Sequence, residues 1–306
     1  MGAHTTMTLC FSWKGGDPLF PILQVCAGER TDLEIGLPED LAIFAHAVNN
    51  GDLSGRADLT VRLTEDLDLM GFRWVPVGFG EAEFSGLFDG GGHTVQGLTI
   101  QKKGPGNYGL FGHVSGTVQN VASAGTIQNL AGDLHSALGG IVGELSGSVV
   151  RNCAAEFTVD GGGESLGLFA GGVAGVVEQG GLVQNCRSST RFENVLGNFL
   201  YLGGVAGAAE DSRVAHCIFD GSIQILGGVG YYIDAGGIVG NVQGHSTVSD
   251  CLNRGVMDAN EYDFEFLTLG DIVGRWEGES VFLQSGRRDT LSGHRRTASS
   301  MTKEER

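Results

Sequence analysis

Gly140-Ile-Val-Gly143 is the stretch that decides the fold, because the chain repeats this pattern at nearly constant intervals. We call the pattern of two apolar residues between two glycines the glycine phrase. Five copies are intact and two are degraded: Gly86-Leu-Phe-Asp89, Gly109-Leu-Phe-Gly112, Gly140-Ile-Val-Gly143, Gly172-Val-Ala-Gly175, Gly204-Val-Ala-Gly207, Gly237-Ile-Val-Gly240 and Asp271-Ile-Val-Gly274. Their starts lie 23, 31, 32, 32, 33 and 34 residues apart. Such a period is typical of a solenoid, in which each repeat buries its apolar face against its neighbours.

A second four-residue pattern follows each glycine phrase and predicts a corner between two short strands. Its copies are Val95-Gln-Gly-Leu98, Val118-Gln-Asn-Val121, Val150-Arg-Asn-Cys153, Val183-Gln-Asn-Cys186, Val214-Ala-His-Cys217 and Val248-Ser-Asp-Cys251. The third position holds Gly, Asn, His or Asp, the residues that best tolerate the left-handed αL conformation. The fourth position is expected to face a buried stack. Four of the six cysteines lie in it, without C-x-x-C spacing, and this predicts packing rather than a metal or redox site.

These patterns predict an all-β fold, a right-handed parallel β-helix of about six to seven rungs with three short strands in each repeat. Residues 83–284 are assigned to the repeats and residues 34–82 to an N-terminal cap. The cap is expected to contain one helix, because Pro38 suits a first helical position and apolar residues follow at helical spacing. Residues 1–33 are a leader without a clear pattern, and the basic residues 285–306 are predicted to be disordered.

Composition and charge exclude several classes of function. The chain has 306 residues with 53 Gly, but Gly does not occupy every third position as collagen requires. A formal net charge of −17 predicts that the protein binds neither nucleic acid nor anionic lipid. No run of 18 or more apolar residues is present, so membrane insertion is not expected. The N-terminal stretch does not read as a signal peptide, because Lys14 and Asp17 interrupt its apolar residues.

Gly109-Leu-Phe-Gly112 and its relatives resemble the GLUG repeat (Gly-Leu-any-Gly) of bacterial surface and secreted proteins. The preceding residues, including Trp74-Val-Pro-Val-Gly78 and Phe84-Ser-Gly-Leu-Phe-Asp-Gly90, resemble the segment that commonly leads into such repeats. The family includes non-catalytic parts of some IgA-cleaving metallopeptidases. The resemblance implies a β-helical adhesion or display module, located outside the cell or at its surface, and it carries no catalytic residue onto this chain.

The variable segment after each inward column is the natural place for binding loops. It carries aromatic and acidic residues, and we expect a flank that binds a glycan or a host protein surface. The ligand-binding candidates are Tyr201, Tyr231, Tyr232, Asp234, Tyr262 and Asp263. In the alternative interpretation these aromatic residues only cover the side of the solenoid. Calcium is a further candidate ligand at residues 258–265, although that stretch does not match an EF-hand loop; no other cofactor is expected.

Two further functional classes stay open. One is a polysaccharide-active β-helical lyase or glycosidase, which needs carboxylates on adjacent rungs. The columns offer Asp89 beside Gly112 and Asp250 beside His216, but turn and corner roles explain both acids, so no catalytic residue is assigned. The other class is a purely structural spacer. We expect a monomeric module within a larger assembly.

Overall fold

A computed structural model describes residues 19–102, 104–129, 135–160, 167–195, 198–225, 232–259, 266–283 and 286–287. Every strand pair within these residues is parallel, and two helices precede most of the strands. The structure is a mostly-sheet solenoid of the right-handed type with about seven turns. Of the leader at residues 1–33, only residues 19–33 are described. Of the tail at residues 285–306, which is predicted to be disordered, only Gly286–Arg287 is described, and it forms a short strand.

Both described helices lie in the first part of the chain. Its elements are α1 Leu19–Cys26, β1 Asp32–Ile35, α2 Pro38–Asn49, β2 Thr60–Leu63, β3 Leu67–Asp68, β4 Leu87–Asp89 and β5 Thr94–Lys102. Helix α2 begins at Pro38, as the sequence predicts, and Glu39 and Asp40 occupy its first turn, where the helix dipole favours negative charge. The buried ring of Phe44 contacts Phe84 and Phe88 at centroid distances of 5.6 and 6.5 Å, so α2 packs against the first turns of the solenoid.

From residue 106 onward the same order of strands recurs in each turn. The strands are β6 Gly106–Tyr108, β7 Phe111–Val114, β8 Thr117–Gln119, β9 Ala122–Asn129, β10 Ser136–Gly139, β11 Val142–Ser146, β12 Val149–Arg151, β13 Ala154–Asp160, β14 Gly167–Gly171, β15 Ala174–Glu178, β16 Leu182–Gln184, β17 Arg187–Ser188, β18 Arg191–Val195, β19 Phe199–Gly203, β20 Ala206–Glu210, β21 Arg213–Ala215, β22 Ile218–Phe219, β23 Ser222–Ile225, β24 Tyr232–Gly236, β25 Val239–Gln243, β26 Thr247–Ser249, β27 Leu252–Asn253, β28 Val256–Ala259, β29 Phe266–Gly270, β30 Val273–Trp276, β31 Val281–Leu283 and β32 Gly286–Arg287.

Strands of successive turns pair into four sheets. Sheet A has nine strands in the order β1-β2-β4-β8-β12-β16-β21-β26-β31, sheet C has the order β30-β25-β20-β15-β11-β7, and sheet D has the order β29-β24-β19-β14-β10-β6. Sheet B contains 11 strands, because several turns contribute two short segments to it. The prediction of three strands in each repeat was therefore wrong. The glycine phrase is itself a corner, since β10 ends at Gly139 and β11 begins at Val142.

The second pattern forms the predicted αL corner between sheets A and B. Its third residues have φ angles of 54 or 55°: Asn120, Asn152, Asn185, His216 and Asp250. The residues that follow are at most 3% exposed: Val121, Cys153, Cys186, Cys217 and Cys251. All four of these thiols are free, and burial raises the pKa of Cys186, as expected of a packed thiol. The inward cysteine column is confirmed.

The two glycines of the phrase are required for different reasons. A Cβ atom built on Gly140 would lie 2.7 Å from Cβ of Ala155, across the core in sheet B. A Cβ atom built on Gly175 would lie 2.6 Å from the backbone nitrogen of Leu138, in the sheet D strand of the preceding turn. Gly140 donates its N–H to the carbonyl of Gly172 at 3.0 Å. The phrases at 140, 172, 204 and 237 therefore lie in line, one turn apart, as predicted.

The first repeat was aligned wrongly by its sequence pattern. Phe88 of Gly86-Leu-Phe-Asp89 pairs with Val118, so this stretch belongs to sheet A and not to the glycine corner. In the turn that precedes Gly112, Gly78 occupies the equivalent position of this corner. Val77 pairs with Phe111, and the carbonyl of Val77 accepts a hydrogen bond from the N–H of Gly112 at 2.7 Å. Val95-Gln-Gly-Leu98 likewise lies in sheet B. The hydrogen bonds between neighbouring strands set the register. Segments with similar residues at a similar spacing can therefore belong to different sheets.

Candidate binding face

Aromatic side chains lie in register on the outer face of sheet D. In β14, Leu168 and Ala170 point into the core, and strand alternation therefore places Gly167 and Phe169 outside. Later turns repeat this arrangement in the paired positions Phe199 and Tyr201, Tyr232 and Asp234, and Phe266 and Thr268. The outer face thus carries two columns of side chains along the solenoid axis.

The rings of these columns stack. Phe199 and Tyr232 have centroids 5.5 Å apart at an interplanar angle of 5°, and Tyr232 and Phe266 are 4.6 Å apart at 5°. In the other column, Phe169 and Tyr201 are 4.9 Å apart at 18°. Phe199, Tyr232 and Phe266 remain 45%, 41% and 50% exposed. We call these five rings the aromatic face.

Three of the six predicted site residues lie in the described part of the chain. Tyr201, Tyr232 and Asp234 lie together, but on strands of sheet D rather than in the variable loops where they were expected. Tyr231, Tyr262 and Asp263 lie outside the described residues.

Sequence reasoning missed Phe169 and Phe266 as members of this surface. The available signal was the spacing, because residues 169 and 201, and 232 and 266, are separated by 32 and 34 residues, as are the glycine phrases. Aromatic residues that recur at the repeat period must fall on one face of a solenoid.

Asp234 is held by the protein itself. It is only 6% exposed and accepts hydrogen bonds from Nδ2 of Asn241, at 2.9 Å, and from the hydroxyl of Thr268. Burial, followed by the neighbouring charge of Asp234, raises the pKa of Tyr201.

The carboxylates considered for catalysis have other surroundings. Asp89 does not lie beside Gly112 as expected; it accepts hydrogen bonds from Gln119 and Asn120, both at 2.9 Å. Burial raises the pKa of Asp89, but these bonds and one from a backbone N–H outweigh burial and hold the pKa below its usual value. Asp250 does lie beside His216, 3.9 Å away on the αL corner. Lying at matching positions of adjacent turns does not by itself give Asp89, Asp250 or His216 a catalytic role.

Two other carboxylate arrangements occur on adjacent turns. Asp160 and Glu193 pair in sheet B, and Glu178 and Glu210 directly follow the paired residues Val177 and Ala209 in sheet C. Neither pair lies on the aromatic face. Within the described residues, no group of three or more His, Cys, Asp or Glu side chains has a metal-binding arrangement. The calcium candidate at 258–265 falls mostly on residues outside that part of the chain.

Neither helix in the described part of the chain has the length and apolar composition needed to cross a membrane.

A family model and a solved structure agree with the repeat and with the solenoid fold. A search of curated proteins found no match. A solved structure with a similar fold is that of a putative immunoglobulin A1 protease from Bacteroides ovatus, with a TM-score of 0.56 and 19% sequence identity over 87% of this chain and 80% of that chain. The model of the Glug family, the GLUG motif, matches residues 135–160, which form one turn from His135 to Asp160. The chain therefore carries a GLUG motif, as the sequence resemblance predicted.

Proposed function

We propose that this protein is a non-catalytic β-solenoid binding module of a bacterial surface or secreted protein, which binds a glycan or a host protein through the aromatic face. The observation that carries the proposal is the row of Phe199, Tyr232 and Phe266, which are 41–50% exposed on a regular sheet. Contiguous exposed aromatic residues on a rigid scaffold are typical of binding surfaces. Packing of the solenoid core does not require them, because they point away from it.

The helical segment has a proposed part in this design. A solenoid exposes unpaired strand edges and core side chains at its ends unless another element covers them. We propose that α2 is the N-terminal cap, since Leu41 and Phe44 are fully buried against the first turns. Covering this end keeps the module from associating through it and leaves the side of the solenoid for the ligand.

A binding screen tests the proposal. The triple variant Phe199→Ser, Tyr232→Ser, Phe266→Ser removes the exposed stack, and Val256→Ser is the matched control, since Val256 is an exposed apolar residue (59%) on sheet B. We expect wild type and control to bind the same members of a glycan array and a host-protein array, and the triple variant to lose at least tenfold in affinity. Circular dichroism checks that all three proteins are folded. Equal binding by the triple variant would show that the stack is structural only.

A further inference from the structure

The most exposed rings of the aromatic face turn their edges, rather than their faces, to solvent. Phe199, Tyr232 and Phe266 lie on neighbouring strands, with centroid distances of 5.5 and 4.6 Å and interplanar angles of 5°. Parallel rings this close lie face over face, because side by side their edge carbons would be closer than a contact of about 3.5 Å. Both faces of Tyr232 are therefore covered, and Phe199 and Phe266 each have one face covered. Since Tyr232 is still 41% exposed, the exposed part of its ring is the edge.

The edge and the face of an aromatic ring attract different groups. The face carries partial negative charge and the edge partial positive charge. Lysine and arginine cations bind over a ring face, and the positively polarised C–H groups of a sugar or a proline ring are attracted to a face for the same reason. Tyr232 offers no free face to such groups. A ligand that spans all three rings meets their edges and the phenol hydroxyl of Tyr232, which can donate or accept a hydrogen bond.

The face of another aromatic ring is complementary to these edges. Edge-to-face pairs are a preferred arrangement of aromatic side chains, and Phe88 and Phe111 form one in the core of this protein, with centroids 5.0 Å apart at 73°. The three exposed rings span two strand spacings, roughly 10 Å, so one or two aromatic side chains of a partner fit across them. Asp234 is only 6% exposed, so its carboxylate does not draw a cationic segment to the row.

We infer that the row of Phe199, Tyr232 and Phe266 docks aromatic side chains of a partner protein, whose ring faces lie against the edges of the row. The inference rests on the proposed function of the aromatic face. Of the two classes of ligand in that proposal it selects a protein, and within proteins a segment rich in Trp, Tyr or Phe. Binding of a glycan is the outcome against which the inference is tested.

Leucine substitutions separate ring edges from apolar surface. The triple leucine variant Phe199→Leu, Tyr232→Leu, Phe266→Leu keeps a row of apolar side chains but removes the rings. Trp276→Leu is the matched control, because it removes an exposed ring (54%) on sheet C, outside the row. The probes are synthetic peptides that carry paired Trp, Tyr or Phe residues among Gly and Ser, with peptides carrying paired Pro, Lys or Leu residues and a set of oligosaccharides as comparisons. Circular dichroism checks that each variant is folded.

We expect wild type to bind an aromatic peptide at least tenfold more tightly than the Pro, Lys and Leu peptides. By titration calorimetry, the triple leucine variant should lose at least tenfold in affinity for that peptide, and Trp276→Leu should stay within about twofold. The inference is overturned if the triple leucine variant binds like wild type, if the Pro, Lys or Leu peptides bind as tightly as the aromatic ones, or if wild type binds only oligosaccharides or none of the probes. In each of these cases the proposed function survives when the triple serine variant described above loses binding on the arrays. If the serine variant binds the arrays normally, both fail.

Discussion

Replacing Gly140 by Ala tests the explanation of the glycine phrase. A Cβ atom at this position would lie 2.6 Å from the carbonyl oxygen of Gly172, 2.7 Å from Cβ of Ala155 and 2.8 Å from Cδ2 of Phe157. Ordinary contacts begin near 3.4 Å, so these neighbours would have to retreat by 0.6 to 0.8 Å. One of them is backbone in the next turn and cannot rotate away.

The expected magnitude follows from overpacking. Adding atoms to a well-packed core costs about 1–3 kcal/mol, and the backbone contact places Gly140→Ala near about 3 kcal/mol. Gly147→Ala is the matched control, because it adds the same atom at φ +63° with its nearest contact at 3.5 Å. Only the left-handed conformation is then penalised, by about 1 kcal/mol. At about 2–4 °C per kcal/mol, the melting temperature falls by roughly 6–12 °C for Gly140→Ala and roughly 2–4 °C for the control.

Calorimetric melting of the three proteins at one pH measures the difference. Hydrogen exchange at Val142 reports whether the loss starts at the corner, since solenoid turns depend mainly on their neighbours. Equal melting temperatures for Gly140→Ala and Gly147→Ala would refute the reasoning, because the two differ in the contacts that the added methyl meets.

Three further predictions concern the αL corner and the core. Asn185 has φ 54° and donates to Oδ1 of Asn152 at 3.3 Å, so Asn185→Ala should lower the melting temperature more than Asn185→Gly, which keeps αL accessible. Burial raises the pKa of Asp89, but hydrogen bonds such as that from Asn120 hold this pKa below its usual value. The ionised carboxylate therefore stabilises the folded protein above the unfolded-state pKa, and this stabilisation is lost as the pH falls through the folded-state pKa. Wild type should therefore lose more thermal stability than Asp89→Asn between about pH 5 and pH 3, as melting curves can check. The Cys186 thiol, whose pKa burial raises, should be labelled by a thiol reagent only on unfolding; fast labelling of native protein, detected by mass spectrometry, would contradict this packing.

The corners were predictable because local chemistry decides them. Asn120 and Asp250 occupy αL conformations that few residue types tolerate, and the apolar residues after them must be buried. The extra sheet and the first repeat were not predictable in this way. Trp74-Val-Pro-Val-Gly78 shares little with the glycine phrase, yet it occupies that corner because its backbone pairs with the next turn.

The candidate site shows the same division. The sequence predicted one flank for Tyr201, Tyr232 and Asp234 because they lie in the variable segments after the inward column. The structure places them on one sheet. Only the structure shows that Asn241 and Thr268 enclose the Asp234 carboxylate and that Phe266 continues the stack. Strand alternation and register determine which side chains point outward, and both depend on pairing with neighbouring turns.

By itself the sequence determined the solenoid, its period, its αL corners and its buried cysteine column, because each depends on residue types recurring at one spacing. The tertiary structure decided the four-sheet cross-section, the frame of the first repeat and the aromatic face. These features depend on hydrogen-bond register between segments more than 20 residues apart, which the order of residues within one repeat does not specify.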